Sequence, residues 1–215
     1  SQPKDVTAID TNLIHPMTGP VYIEGAKRGD VLAITLIEII PDDYGYTTLI
    51  PGFGFLPDLF PEPYIANWKL NSFEAVSDQL PGVRIPMNSF MGSVGVLPGK
   101  AEVAKWLARE SQLGAAGGVA LPPEPTGASP ASVCGPNGSH KSECLRTVPP
   151  RENGGNMDVK QMVKGTTLLL PCFIDGCGFF IGDVHYAQGD GEVAGTAIET
   201  GAVVTVTTEI RKGMA

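Results

Sequence analysis

A short segment in the last third of the chain concentrates the side chains that could do chemistry. It holds three carboxylates, one imidazole and one amide: Asp183, His185, Gln188, Asp190 and Glu192. Because side chains alternate between the faces of a strand, Asp183 and His185 should point the same way. After a tight Gly-Asp-Gly turn, Asp190 and Glu192 could share a face. An imidazole brought back over two carboxylates could bind a divalent metal or transfer protons.

A surface hairpin is the alternative interpretation of the same segment. Asp, Gly and Gln are common in exposed turns and need no catalytic role. Apolar residues flank the charges on both sides, however: Phe179, Phe180, Ile181, Val184 and Tyr186. Buried charges are costly without partners, so these neighbours favour a metal, a hydrogen-bond network or a shifted pKa.

The composition indicates a core and a partner. A chain of 215 residues with 42% hydrophobic residues can form a core, in one large domain or two small ones. Only 18% of the residues are charged, which is low for a soluble monomer. We therefore expect part of the surface to be buried against another subunit or segment.

The charge pattern excludes two classes of partner. The net charge is −8 and no cluster of Lys and Arg is present, so nucleic acid is not expected as a ligand. The apolar runs are too short to span a membrane. No signal peptide is evident, and we predict a cytoplasmic protein.

The four cysteines have spacings that fit several states. Free thiols in a reducing cytoplasm are the favoured prediction, with Cys172 and Cys177 buried beside a turn. Cys134 and Cys144 bracket a loop and could instead form a disulfide. They could also join His140 at a metal, although their spacing matches no standard zinc pattern.

Strand-like runs dominate the chain. Residues 202–210 alternate cleanly between two faces, as expected of a half-buried strand, whereas Val31–Ile40 is apolar on both faces and is followed by Pro41. One helix is predicted over residues 101–113. The pattern predicts a mainly β fold, a β-sandwich or barrel-like domain with one short helix and long loops.

Two loops and a histidine have uncertain roles. Residues 44–70 place aromatic residues, Phe53 among them, between glycines and prolines, and could wall a small apolar pocket or pack on a neighbour. Residues 114–155 form a long Gly- and Pro-rich loop. It leads to Asn156 and Asp158, which could face one ligand or form an Asx-type turn. His15 precedes a Pro turn, where a structural hydrogen bond is commoner than metal ligation.

Five motifs in order along the chain resemble the acetamidase/formamidase family. They lie at residues 15–26, 29–32, 51–54, 154–158 and 182–192. The resemblance covers nearly all of the chain, so residues 1–215 are taken as one domain of this family. It implies hydrolysis of a small amide to a carboxylate and ammonia. It also implies a β-rich fold, metal at the site in some members, and a homo-oligomer.

Members of this family usually carry further sequence at both ends. We therefore expect a homo-oligomer or a complementary chain that supplies the segments missing here. Neither a Gly-x-Ser-x-Gly motif nor a cysteine in a catalytic setting is present, so water is the preferred nucleophile. The expected metal is zinc or calcium.

The resemblance and the residue types together give each candidate a role. Asp158, Asp183 and His185 would hold a divalent metal, and Asp158 and His185 would serve catalysis through it. Glu192 would be the general base and then the acid for ammonia. The remaining candidates would contact the substrate: Asn156 and Gln188 through hydrogen bonds, and Phe53 by limiting its size. The alternative is a non-catalytic β-rich module whose carboxylates bind structural calcium.

Overall fold

Strands are the main regular elements of the computed structural model, which describes residues 2–117 and 127–215. Ten strands lie in these ranges: β1 (Met17–Val21), β2 (Val31–Leu49), β3 (Tyr64–Leu70), β4 (Glu74–Val76), β5 (Arg84–Pro86), β6 (Phe90–Val96), β7 (Gly154–Asn156), β8 (Thr167–Pro171), β9 (Phe179–His185) and β10 (Glu199–Arg211). The helices are α1 (Pro3–Val6), α2 (Lys100–Ala115), α3 (Ala131–Cys134) and a 3-10 turn, Thr11–Leu13. The mainly β prediction is confirmed.

The ten strands form one antiparallel sheet. Its main path runs β5-β4-β3-β2-β10-β9-β6-β7, while β1 pairs with β9 and β8 pairs with β2. The path ends at β5 and β7, so the sheet is not closed into a barrel. Strand β9 lies near its centre, where β10, β6 and β1 all pair with it.

Strand β2 is longer than the sequence predicts. Pro41 was expected to end it, yet the strand continues to Leu49 because Pro41 lies at a register shift against β10. A proline is tolerated where the ladder is irregular and its missing N–H breaks no bond. The second half of β2 pairs with β3. The prediction that residues 44–70 form one loop is therefore wrong, and the loop is confined to the middle of this range.

Two apolar clusters lie on the sheet. The larger one gathers buried side chains of β2, β6 and β9, including Leu32, Ile34 and Val94. The smaller one surrounds Trp68 and Tyr186, just beyond the end of β9. Tyr186 is fully buried and its hydroxyl donates to the Asn71 carbonyl at 2.7 Å. The second cluster therefore fixes the chain where it leaves β9.

Helix α2 holds the segment that leads into β7. The predicted helix over residues 101–113 is confirmed. The observed helix has one more residue at its start and two more at its end. Its buried Glu110 pairs with Arg151, whose Nε lies 2.5 Å from Glu110 Oε1. Arg151 also donates to the Arg146 carbonyl at 2.9 Å. Part of the predicted loop, residues 118–126, lies outside the described residues, and α3 forms within the rest.

All four cysteines are paired, so the prediction of free thiols is wrong. Cys134 bonds to Cys144 and Cys172 bonds to Cys177, with Cα–Cα distances of 5.6 and 4.7 Å. Both turns bring the two Cα atoms into the range that a disulfide requires, which sequence spacing alone cannot reveal. The cysteines therefore no longer support a reducing compartment. In the described ranges, no helix is long and apolar enough to cross a bilayer.

Candidate active site

His185 is the centre of an acidic cluster. It ends β9, is 1% exposed, and directs Nε2 toward four carboxylates. The Nε2 atom lies 3.3 Å from Glu199 Oε2 and 3.5 Å from Asp183 Oδ1. Asp158 Oδ1 and Glu192 Oε1 follow at 3.9 and 4.0 Å. The side chains of Asp183 and His185 do share a face, as their alternation predicts.

The sheet register brings these residues together. Glu199 opens β10 and lies directly opposite His185 of β9. On the other side, Phe90 of β6 is opposite His185, and the two rings meet edge to face at 5.0 Å between centroids. Asp158 follows β7, which pairs with β6. Residues from four separate parts of the sequence therefore meet at one end of β9.

Three of the acids have unusual backbone conformations. Asp158, Asp183 and Glu192 have φ values of 49°, 57° and 42°. In the described ranges only one other residue besides glycine, Cys177, has positive φ. This region is sparsely populated by residues with a Cβ, and such strain clusters at functional sites. The backbone of Asp158 is held there because its N–H donates to the Gly92 carbonyl at 3.1 Å.

Gly92 leaves space for two of the carboxylates. A Cβ atom at this position would lie 2.5 Å from Asp183 Oδ2 and 2.9 Å from Asp158 Oδ1. Any larger residue would therefore have to displace an acid of the site. Glycine in strand β6 is explained by this close approach.

Gln188 fixes the orientation of the histidine ring. Its Oε1 lies 2.8 Å from His185 Nδ1, and its Nε2 donates to the Asp158 carbonyl at 3.2 Å. Because an amide oxygen only accepts, Nδ1 is the donor and Nε2 faces the acids. A histidine that binds a metal is commonly oriented in this way through its other ring nitrogen.

Ser93 connects Asn156 to the cluster. Its Oγ lies 3.1 Å from Asn156 Oδ1 and 3.3 Å from Asp183 Oδ2, so the one hydroxyl proton is shared between two acceptors. Asn156 Nδ2 donates to the Val148 carbonyl at 3.0 Å. Asn156 is thus connected to Asp183 through the hydroxyl of Ser93.

His15 approaches the cluster from the segment before β1. Its Nε2 lies 3.7 Å from Asp183 Oδ1. Its backbone N–H donates to Thr147 Oγ1 at 2.7 Å, which fixes the segment. Among the described residues, its buried Nδ1 has no hydrogen-bond partner. The structural hydrogen bond favoured for His15 is therefore made by the backbone, and the ring faces the acids.

Burial and mutual repulsion shift the pKa values of the acids. Burial raises the pKa of Asp158 to about 6, and the charge of Asp183 adds to the effect. Burial likewise raises the pKa of Glu192 to about 8, together with the charge of Asp158. Burial also acts to raise the pKa of Asp183, but hydrogen bonding to His185 and the charge of His15 keep it below its usual value.

The histidine responds in the opposite direction. Burial alone would lower the pKa of His185, yet hydrogen bonds to Asp183 and Glu199, and their charges, raise it to about 11. Even with Glu192 largely protonated at neutral pH, one imidazolium cannot balance the other three carboxylates, so the cluster has a surplus of negative charge. Such a surplus favours binding of a cation.

The donor set fits a divalent metal. Ligand atoms of Asp158, Asp183 and His185 lie within 4.8 Å of one another, and those of His185, Glu192 and Glu199 do so as well. Within the described part of the chain, the buried Asp158 Oδ1 has no hydrogen-bond partner, which is costly unless something ligates it. A mixed nitrogen and oxygen set suits zinc, whereas calcium prefers oxygen alone.

Not every candidate residue joins the cluster. Asp190 does not share the face of Glu192: its side chain is 86% exposed and pairs with Lys160 at 2.7 Å. Phe53 lies on a loop that packs on the turn after Glu192, because Phe55 N–H donates to the Val193 carbonyl at 2.9 Å. Phe53 and Val193 line an apolar cavity of about 220 Å³.

A larger cavity adjoins the cluster. It has a volume of about 540 Å³, and Gln188 and Glu192 contribute to its wall. The wall also includes Trp68, Ile85 and Ile198. A substrate could therefore approach the acids from this side.

Fold, cluster and motifs agree with one class of protein. The chain belongs to the acetamidase/formamidase family, whose family model matches residues 1–215. It is 34% identical to an acetamidase of Mycolicibacterium smegmatis over 97% of this chain and 56% of that protein. It is also 34% identical to a formamidase of Methylophilus methylotrophus over 88% of this chain and 49% of that protein.

Solved structures share the fold. A gamma lactamase from Delftia acidovorans superposes with a TM-score of 0.89 at 34% identity, over 99% of this chain and 55% of that one. An acetamidase from Bacillus halodurans gives a TM-score of 0.71 at 29% identity, over 96% and 55%. The chain thus spans about half the length of the curated relatives and solved structures that it matches.

Proposed function

We propose that this chain carries the active site of a hydrolase that cleaves the C–N bond of a small linear amide. Amide and water would give a carboxylate and ammonia. The observation that carries the proposal is the convergence of four carboxylates within 4.0 Å of His185 Nε2. The family relationship and the names of the relatives, an acetamidase and a formamidase, support it.

A divalent metal would be held by Asp158, Asp183 and His185. The unpartnered Asp158 Oδ1 and the surplus negative charge support this assignment, and the nitrogen donor favours zinc over calcium. When bound, such an ion supplies a Lewis acid that polarises a carbonyl and lowers the pKa of water to about 7. Gln188 and Ser93 would keep its ligands in place through the hydrogen bonds described above.

Glu192 would move the proton. It is 17% exposed and borders the large cavity, so its carboxyl can reach a substrate there. With a pKa of about 8, the group exchanges a proton near neutral pH. As a carboxylate it would accept a proton from water, and as an acid it would return that proton to the departing nitrogen.

Asn156 and Gln188 would hold the amide. Each side-chain nitrogen already donates to one backbone carbonyl, of Val148 and Asp158 respectively. Each also has a second N–H that could donate to the substrate oxygen. The role of Phe53 in limiting substrate size would act through Val193, which lines both cavities.

We also propose that a second polypeptide packs against this chain. The accessible surface is 11740 Å², whereas a compact monomer of this mass should expose roughly 9,500 Å². Large apolar side chains are exposed on the paired strands β2 and β10, including Ile40 at 52% and Val203 at 66%. Another copy or a complementary chain would cover them. Light scattering of the purified chain, alone, distinguishes an oligomer from a monomer that needs a partner.

The function is tested by assaying ammonia from formamide and acetamide, before and after a chelator. We expect release that the chelator stops and that zinc restores, with a matching amount of metal in the purified protein. A chelator that lowers the melting temperature of a protein with no amidase activity would instead support structural calcium. A mock incubation at the same pH without protein controls for spontaneous hydrolysis.

A further inference from the structure

We infer that the preferred substrates carry an uncharged apolar group larger than the methyl of acetamide, and that the large cavity beside Glu192 receives it. The inference rests on the proposed amide hydrolysis and adds the substrate class. It comes from the cavity that Gln188 and Glu192 share with an apolar wall.

The cavity is too large for the simplest amides. Its volume is about 540 Å³. Acetamide has four heavy atoms and fills on the order of 100 Å³, given about 30 Å³ for one water. Pockets that bind larger organic ligands begin at about 300 Å³. A small amide would therefore leave most of this wall in contact with water.

Two apolar residues of the cavity wall, Trp68 and Ile198, are firmly held. Trp68 is 5% exposed, and its only polar side-chain atom donates to Thr47 Oγ1 at 3.0 Å. The indole therefore offers apolar surface to the cavity. Ile198 is 6% exposed, and its backbone exchanges hydrogen bonds with the chain leaving β9, since Tyr186 N–H donates to its carbonyl at 2.8 Å.

Charge selects against anions in the cavity. Glu192 lines it, and the other three acids of the cluster surround His185 Nε2 together with Glu192. Asp190 lies at the rim and is neutralised by Lys160 at 2.7 Å, so this lysine offers no net positive charge to a ligand. A carboxylate-bearing substrate would meet a surplus of like charge, whereas a neutral phenyl or alkyl group would not.

Three amides test the inference: acetamide, phenylacetamide, and phenylacetamide with a carboxylate on the ring. We expect kcat/KM for phenylacetamide to exceed that for acetamide by about tenfold or more, the usual scale for a filled apolar pocket. The charged analogue should be worse than phenylacetamide by at least a similar factor. Equal values for acetamide and phenylacetamide would overturn the inference and leave amide hydrolysis standing.

A substitution in the wall locates the effect. Ile85→Trp should fill the cavity and lower the ratio of kcat/KM for phenylacetamide over acetamide by about tenfold or more. Leu113→Trp, at an exposed position on α2, introduces the same side chain away from the cavity and should leave the ratio unaltered. A ratio that does not fall in Ile85→Trp would place the phenyl group elsewhere.

Binding of phenylacetamide to the cavity can be measured even where no amide is hydrolysed. In Glu192→Gln, phenylacetamide should quench tryptophan fluorescence in a saturable way. Trp68→Phe in that background should remove the response, because the remaining Trp106 is on α2 and does not line the cavity. Saturable quenching by a protein that hydrolyses no amide would support the cavity and reject the proposed function. Hydrolysis of acetamide without quenching by phenylacetamide would reject the cavity alone.

Discussion

Glu199 lies directly opposite His185 across the β9–β10 pair, and its Oε2 is the carboxylate oxygen nearest to His185 Nε2, at 3.3 Å. Its other oxygen accepts a hydrogen bond from the Ala197 N–H at 2.8 Å. The carboxylate is therefore fixed from both sides. This contact joins the acidic cluster to β10, which pairs along most of its length with β2, and it explains how β10 takes part in the site.

Glu199→Gln should reduce amide turnover by about 10- to 100-fold, the usual effect of removing a group that supports the ligands of a metal site. The variant keeps the shape but loses a charge that raises the pKa of His185. In this variant, kcat/KM and the pKa of His185 measured by NMR should both fall. Glu209→Gln, 69% exposed on the same strand, is the matched control. Wild-type kinetics in Glu199→Gln would exclude the role.

Glu192→Gln should abolish amide hydrolysis and leave the fold intact. Loss of a general acid and base typically costs about 10²- to 10⁴-fold in rate. Ammonia release under saturating acetamide measures the loss, and circular dichroism checks the fold. Asp78→Asn makes the same chemical change at an 85% exposed side chain outside the site and should behave as wild type. Unchanged hydrolysis by Glu192→Gln would refute its role as a proton carrier.

Gly92→Ala should damage the site through sterics alone. The new Cβ would meet Asp183 and Asp158, so we expect weaker zinc binding, and the overpacking should cost about 1–3 kcal/mol of unfolding free energy. Gly114→Ala is the control, because this helical glycine has nothing within 4 Å of its Cβ position and should gain about 0.5–1 kcal/mol. Isothermal titration with zinc and urea unfolding measure both effects. Normal zinc affinity in Gly92→Ala would contradict the close approach.

Asp30 should make stability depend on pH. A hydrogen bond from Lys212, with those from the Gly213 and Lys27 N–H groups, lowers the pKa of Asp30. A carboxyl with a lowered pKa stabilises the fold above its unfolded pKa of about 3.9, and this stability is lost as the pH falls through the folded pKa. Asp30→Asn should therefore lower Tm at neutral pH, and the difference should shrink in acid. Exposed Asp43→Asn should show no such pattern; a parallel shift at every pH would contradict the mechanism.

Metal binding should release protons from the site. The pKa of His185 is about 11 when only the carboxylates face it, so a cation must displace its proton in order to bind. Zinc affinity should then rise with pH, by up to about tenfold per pH unit for each proton released. Titration calorimetry in two buffers of different ionisation enthalpy counts the protons. Binding that releases none would exclude His185 as a ligand.

The sequence predicts the local part of the site well. Alternation along one strand places Asp183 beside His185, and the family motifs include Asp158 and Glu192. The sequence does not reveal Glu199 as a site residue, because its position depends on the register between β9 and β10, which no local pattern encodes. For His15 the sequence leaves a structural hydrogen bond and metal ligation open, since its position depends on the pairing of β1 with β9.

The same distinction applies to the fold. The alternation of residues 202–210 correctly predicts β10 because it records burial on one face of one strand. The continuation of β2 past Pro41 depends instead on a register shift against its partner. The two disulfides depend on how turns fold back, so the spacing of Cys134 and Cys144 or of Cys172 and Cys177 left several states open.

Three acids of the cluster, Asp158, Asp183 and Glu192, sit in backbone conformations that glycine or asparagine adopts with less strain. Replacing them with such residues would relax the chain and also remove like charges from one another. Selection for thermal stability alone would consequently favour substitutions of these acids. In a stabilised variant obtained in that way, the identity of these three residues should be checked first.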